Sequence, residues 1–124
     1  MLQRDDIFSG FAAPDLDAIR RFYGDTLGLP VDDEHGMVWI GIGGGKRVIV
    51  YPKADHVPAT YTVLNLPTDD VEAAVDELTA KGVEFEHYEG EIATDAKGIM
   101  RGNGPDIAWF KDPAGNLVSV IAAD

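Results

Sequence analysis

The chain of 124 residues contains no cysteine. That absence excludes disulfides, thiolate metal sites and a cysteine nucleophile, and it leaves the redox compartment open. Serine is almost missing too. Ser9 and Ser119 are its only copies, and neither sits in a Gly-x-Ser-x-Gly elbow, so a serine-hydrolase reading is poor. Cations are scarce: 10 Lys and Arg stand against 22 Asp and Glu, a formal net charge of −12. A field of that sign repels nucleic acid and anionic membrane surfaces and favours neutral or cationic ligands, while also serving solubility. No apolar run approaches the length of a membrane-spanning helix. Met1 to Asp6 lacks the apolar stretch of a secretory signal, so a cytoplasmic protein is expected.

What is present is an internal repeat. Asp15 to Leu29 and Asp70 to Val83 each run from an acidic start through apolar residues at helical spacing to a glycine and a strand-like segment. Leu16, Ile19, Phe22, Tyr23 and Leu27 form the first apolar stripe; Val71, Ala74, Val75 and Leu78 form the second. Asp15 reads as the first N-cap, Asp69 and Glu72 have the spacing of a capping box, and Gly28 and Gly82 suit the position that ends a helix. Strands are expected at Ile7 to Ala13, Leu29 to Asp32, Met37 to Ile42 and Arg47 to Tyr51. In the second half they are expected at Thr60 to Leu66, Val83 to Tyr88, Asp106 to Lys111 and Asn116 to Ile121. The turns fall at His35-Gly36, at Gly43 to Gly45 and at Asp112 to Gly115.

The order is thus βαβββ twice, an α+β pattern with mainly antiparallel pairing. We expect one domain over residues 1–124, built of a module at about 5–53 and another at about 59–123, neither able to close a core alone. One stretch breaks the symmetry. Ala93 to Gly104 is polar, rich in glycine and without periodicity, which marks a functional or mobile loop. Gly41 to Lys46 invites a phosphate-loop reading, but no Ser or Thr follows Lys46 and a strand stands where a helix should begin, so it is a hairpin turn.

The tandem modules, the segment Phe22 to Gly28 (Phe-Tyr, then Leu27-Gly28) and the turn Asp112 to Asn116 (Asp-Pro-x-Gly-Asn) together resemble the vicinal oxygen chelate superfamily, which includes glyoxalase I, bleomycin-resistance proteins and extradiol dioxygenases. The resemblance spans nearly the whole chain. It implies tandem βαβββ modules forming a cupped, partly open mixed β-sheet with a helix on the outside of each module. It further implies a small molecule in the cup and a homodimer. In metal-dependent members, His and Glu or Gln side chains from four strands hold a divalent ion. The matching positions here fall on Phe8, on Tyr61 to Val63, near Val50 or Tyr51, and on Ser119. Phe and Val supply no donor and a lone Ser hydroxyl is a poor ligand, so no metal and no other cofactor is expected.

Candidate site residues follow from the strands. Phe8, Trp39, Tyr51, Tyr61 and Trp109 are strand aromatics, some of which must face the cup, and core packing is the alternative for each. Ser119 is placed to donate a hydrogen bond at the cup floor. Met100 and Arg101, in the asymmetric loop with Lys97, are placed to close over a ligand, with Arg101 as a clamp for a carboxylate. His87 shares a face with Val83 and Phe85 and is the one candidate general base, or else an edge histidine bonded to backbone or water. Two readings result. The first is a metal-free protein binding an apolar or cationic small molecule in an apolar cup. The alternative is a glyoxalase-like lyase, isomerase or dioxygenase acting on a small carbonyl or aromatic substrate.

Overall fold

The computed structural model describes all 124 residues, which divide into two compact units, Met1–Val57 and Pro58–Asp124. Each unit is a four-stranded mixed sheet with one helix.

In the first unit the strands are β1 (Gly10–Ala13), β2 (Val31–Glu34), β3 (Met37–Gly43) and β4 (Lys46–Pro52), in the order β1-β4-β3-β2. The β1–β4 pair is parallel and the other two pairs are antiparallel. His35 (φ 57°) and Gly36 (φ 73°) form the two-residue turn between β2 and β3, where both central residues need positive φ. The helix α1 (Leu16–Arg20) starts at Asp15, whose carboxylate accepts the Asp17 and Ala18 amides, and it widens into a π-helical turn over Arg21–Thr26. Alternation along β3 and β4 turns Val38, Ile40, Val48 and Val50 to one side, where with Ile19 and Tyr23 they are buried. Tyr23 meets Phe22 edge-on at 5.3 Å and Phe11 at 6.0 Å.

The second unit repeats this order with β5 (Thr62–Thr68), α2 (Val71–Ala80), β6 (Ile99–Met100), β7 (Ile107–Lys111) and β8 (Leu117–Ala122), in the order β5-β8-β7-β6. Val71 and Val75 of α2 are buried, as are Ala108, Phe110, Val118 and Val120 of the sheet. Asp112 organises the turn before β8. Its carboxylate accepts the Ala114 and Asn116 amides and the Asn116 side chain, all within 3.0 Å, and all of it is out of water. Burying these polar groups is tolerable because each is bonded.

Three local expectations change. β1 begins at Gly10, so Ile7 and Phe8 lie before the strand and are exposed, although the Ile49 amide still donates to Ser9. The cap of α2 is Asp70, which accepts the Ala73 amide, and not Asp69. Val83 to Tyr88 forms no ladder. It touches β7 through a single bridge, Phe85 to Phe110, and the Glu86 amide donating to Trp109. The fourth strand of that sheet is β6, inside the segment expected to be a loop. Asp95 explains the return of the chain: its Oδ1 accepts the Lys97 and Ile99 amides and folds the backbone back to β7.

Candidate functional site

Each sheet carries its helix on one side, so the other side is open within its own unit. The strand registers decide which side chains lie there. In the first unit Trp39 is paired with Ile49 and with Asp32, and Ile49 with Gly10. Paired residues share a face, so this row lies opposite Val38 and Val50. Gly10 is required in it: a Cβ there would stand 2.5 Å from the Ile49 Cγ2 and 3.0 Å from its carbonyl oxygen. Phe8 packs on Trp39 at 5.2 Å between ring centroids. The Arg47 guanidinium lies 4.4 Å from the Trp39 ring centroid and donates to Glu34 Oε2 at 2.8 Å. Trp39 Nε1 donates to the Glu34 carbonyl at 3.3 Å. Tyr51, paired with Ala12, continues the same face and is 42% exposed.

The second unit places a matching row. Trp109 is paired with Ser119, and Ser119 with Asn65. Trp39 and Trp109 therefore occupy equivalent positions, each on the third strand of its module, with Ile49 the counterpart of Ser119 and Gly10 that of Asn65. The Ser119 hydroxyl is fully buried and donates to Asn65 Oδ1 at 2.5 Å. Trp109 Nε1 donates to Thr62 Oγ1 at 3.2 Å, and the ring meets Tyr88 at 5.6 Å. Burial pushes the Tyr88 phenol above its ordinary value, and Glu86 adds to this. Met100, paired with Ile107, is buried along the same face. Ile107, Leu117 and Ile121 complete an apolar surround with Ser119, Asn65, Thr62 and, at the end of β7, Lys111 as its polar groups.

Phe8, Trp39 and Tyr51 thus fall together in one unit, and Trp109, Ser119 and Met100 in the other. Tyr61 precedes β5 and is 70% exposed. Arg101 and His87 lie elsewhere. Arg101 donates to Asp95 at 3.2 Å, to Asp106 at 3.1 Å and to Glu72 on α2 at 3.2 Å, so its three nitrogens are held by carboxylates of its own unit. The Asp95 bond, with the nearby charges of Asp106, Asp95 and Glu72, raises the Arg101 guanidinium still further above its usual range. His87 is exposed and shares a cavity wall with Val83 and Phe85, beside α2. Sequence reasoning missed Asn65, Thr62, Tyr88 and Arg47. Asn65 left a signal, as the one amide inside the apolar run of β5.

The register also refines the positions that correspond to a metal site. Ile49, and not Val50 or Tyr51, is the counterpart of Ser119. No group of three or more His, Asp or Glu side chains converges anywhere in the chain. The donors at these positions do not fit a divalent ion, which needs three or four converging ligands.

Two βαβββ modules, each a mixed sheet with one face under a helix and one lined by aromatics, define the class of protein. The chain belongs to the Glyoxalase/Bleomycin resistance protein/Dioxygenase superfamily, whose family model matches residues 8–120. Solved structures agree in fold. An antibiotic binding protein, TnmS3, from Streptomyces sp. CB03234 is similar with 18% identity over 94% of this chain and 93% of its own, at a TM-score of 0.69. Lactoylglutathione lyase from Agrobacterium tumefaciens is 22% identical over 94% and 92%, with a TM-score of 0.68. A bleomycin resistance determinant encoded on the transposon Tn5 is 20% identical over 95% and 97%, also with a TM-score of 0.68. No curated protein sequence matches the chain.

Proposed function

We propose that this chain binds a small molecule on the aromatic open faces of its sheets, without a metal and without catalysis. The observation that carries the reading is the pair of equivalent rows, Trp39–Ile49–Gly10 and Trp109–Ser119–Asn65. Large apolar area with a few placed polar groups is how small-molecule sites are built. The Ser119–Asn65 pair and Thr62 would orient a polar group of the ligand, and the tryptophans would stack on its body. The net charge of −12 favours a cationic or neutral ligand over an anion. The fold shared with an antibiotic binding protein and a bleomycin resistance determinant supports the same reading. The side chains at the metal positions support a metal-free site. We further propose a homodimer, in line with the superfamily, which sedimentation at micromolar concentration would test.

Trp39 and Trp109 are the only tryptophans, so intrinsic fluorescence reports on these faces directly. Titration with tetraphenylphosphonium is expected to quench it saturably, and the isosteric anion tetraphenylborate is expected to do so far more weakly. Equal quenching by both, or by neither, would remove the reading. Elemental analysis and melts with Ni, Zn, Mn and Fe are expected to show no bound ion and no shift. One ion per chain with a raised melting temperature would overturn the metal-free part through linkage.

A further inference from the structure

The second unit holds a cavity of about 460 Å³ on the α2 side of its sheet, away from the row of Trp109 and Ser119. That volume lies within the roughly 300–1,000 Å³ usual for small-molecule sites. Its apolar wall is Val75 of α2 with Val83 and Phe85. These last two belong to the extended segment that forms no ladder with β7 beyond one bridge, which leaves its outer side free to line a space. The far wall is Ala96 and Lys97. It is held there by Gly98 (φ 90°), where a Cβ would stand 2.9 Å from the Phe85 Cβ and 3.0 Å from the Glu86 carbonyl oxygen. A second tie is Lys97 Nζ, which bonds Asp76 of α2 at 3.0 Å across the cavity.

The polar groups of this cavity are unevenly matched. Lys97 bonds Asp76 at 3.0 Å and lies 3.8 Å from Glu72, so its ammonium is already met by carboxylates of α2. Glu84 and His87 line the space with no ion pair or hydrogen bond from the rest of the chain. They present a free carboxylate and a free imidazole above an aromatic wall. We propose that this cavity is a ligand site in its own right, and that it takes a small primary amine carrying an aromatic or branched apolar body. The ammonium meets Glu84, with His87 and Thr79 within the same rim, and the body lies on the edges that Phe85 and Val83 leave exposed. The site is independent of the open faces and of any reading of them.

The test is amide chemical-shift mapping on the ¹⁵N-labelled full chain with phenethylamine, and with 3-phenylpropionate as the anion of like shape. Phenethylamine is expected to shift Val75, Thr79, Phe85, His87 and Lys97 saturably, and the carboxylate to leave them in place. Glu84→Gln is expected to weaken the amine about fivefold or more, since it removes the charge-assisted partner and keeps the shape. Thr79→Trp, on the exposed side of α2, is expected to fill the space and abolish the shifts. Shifts confined to residues around Trp39 or Trp109, equal shifts from the anion, no shifts at all, or full affinity in Glu84→Gln would each overturn the proposal.

Discussion

At the residue scale, the Asp95 carboxylate accepts from three partners. Its Oδ1 folds the chain back to β6 through two amides at 2.9 Å, and its Oδ2 accepts from Arg101. Partial burial pushes the carboxyl up, but the bonds from Ile99, Arg101 and Lys97 outweigh this and hold it below the ordinary carboxylate range. A depressed folded value means the folded state prefers the ionised form. The resulting stability is present above the unfolded value of about 3.9 and is lost as pH falls through the folded one. We expect Asp95→Asn, which keeps an acceptor for the amides and loses the charge, to melt lower than the parent at pH 7 and to converge on it as pH falls through the depressed folded value. Calorimetric melts of both proteins across that range measure the gap. A gap that stays constant with pH would mean that Asp95 acts as a turn former only. The same residue explains why Arg101 misled the sequence reading. A lone cation in an acidic chain reads as a clamp for a ligand, but Asp95, Asp106 and Glu72 come from three separate places in the sequence to hold it.

At the scale of elements, the helices and hairpins were legible because their signals are local. Apolar residues at helical spacing, Asp15 as a cap, Gly28 and Gly82 with positive φ, and the His35-Gly36 turn all act within a few residues. The cap of α2 was missed by one residue because Asp69 and Asp70 are adjacent carboxylates, and spacing to Glu72 favoured the wrong one. The structure makes this testable. Asp70→Ala removes the bond from the Ala73 amide and is expected to cost about 1 kcal/mol, whereas Asp69→Ala is expected to stay within about 0.5 kcal/mol of the parent. Urea unfolding of the two variants decides it, and equal losses would argue against Asp70 as the cap. The misread strand at Val83 to Tyr88 failed for a different reason. Its alternation is real, since Val83 and Phe85 are both buried, but burial at every second residue does not require a ladder. β7 has one free edge, and β6 and the Phe85 bridge divide it between them. Such competition for an edge is set by pairing distant in sequence. Trp39 and Trp109 were legible as candidates because strand aromatics must choose a face, but their equivalence rests on register, which no single strand displays.

At the scale of the whole molecule, two electrostatic effects oppose each other, and their magnitudes decide the response to salt. Ion pairs such as Arg47–Glu34, Lys53–Asp55, Lys81–Glu77 and Lys111–Glu86 join largely exposed side chains. Each contributes about 0–1 kcal/mol and is weakened by screening. Against them stands the repulsion within a chain carrying −12, in which 10 cations cannot neutralise 22 carboxylates. The edge strand β2 alone places Asp32, Asp33 and Glu34 in sequence, and only the last two have a cationic partner. Repulsion acts over many separations comparable with the Debye length of about 10 Å at 0.1 M, so screening relieves it across the molecule, while each ion pair loses only part of a small term. The repulsive term is therefore expected to dominate. Raising NaCl from about 0.05 to about 0.5 M should raise the melting temperature by about 3 °C or more, the equivalent of several tenths of a kcal/mol in a chain of this size. NaCl is the informative salt, because sulfate would add stabilisation by exclusion from the surface and blur the comparison. A melting temperature that falls with NaCl would mean that the paired charges, above all the cluster of Arg101 and Lys97 with Glu72, Asp76, Asp95 and Asp106, outweigh the excess of acid. The acidic residues would then be what holds the second unit together.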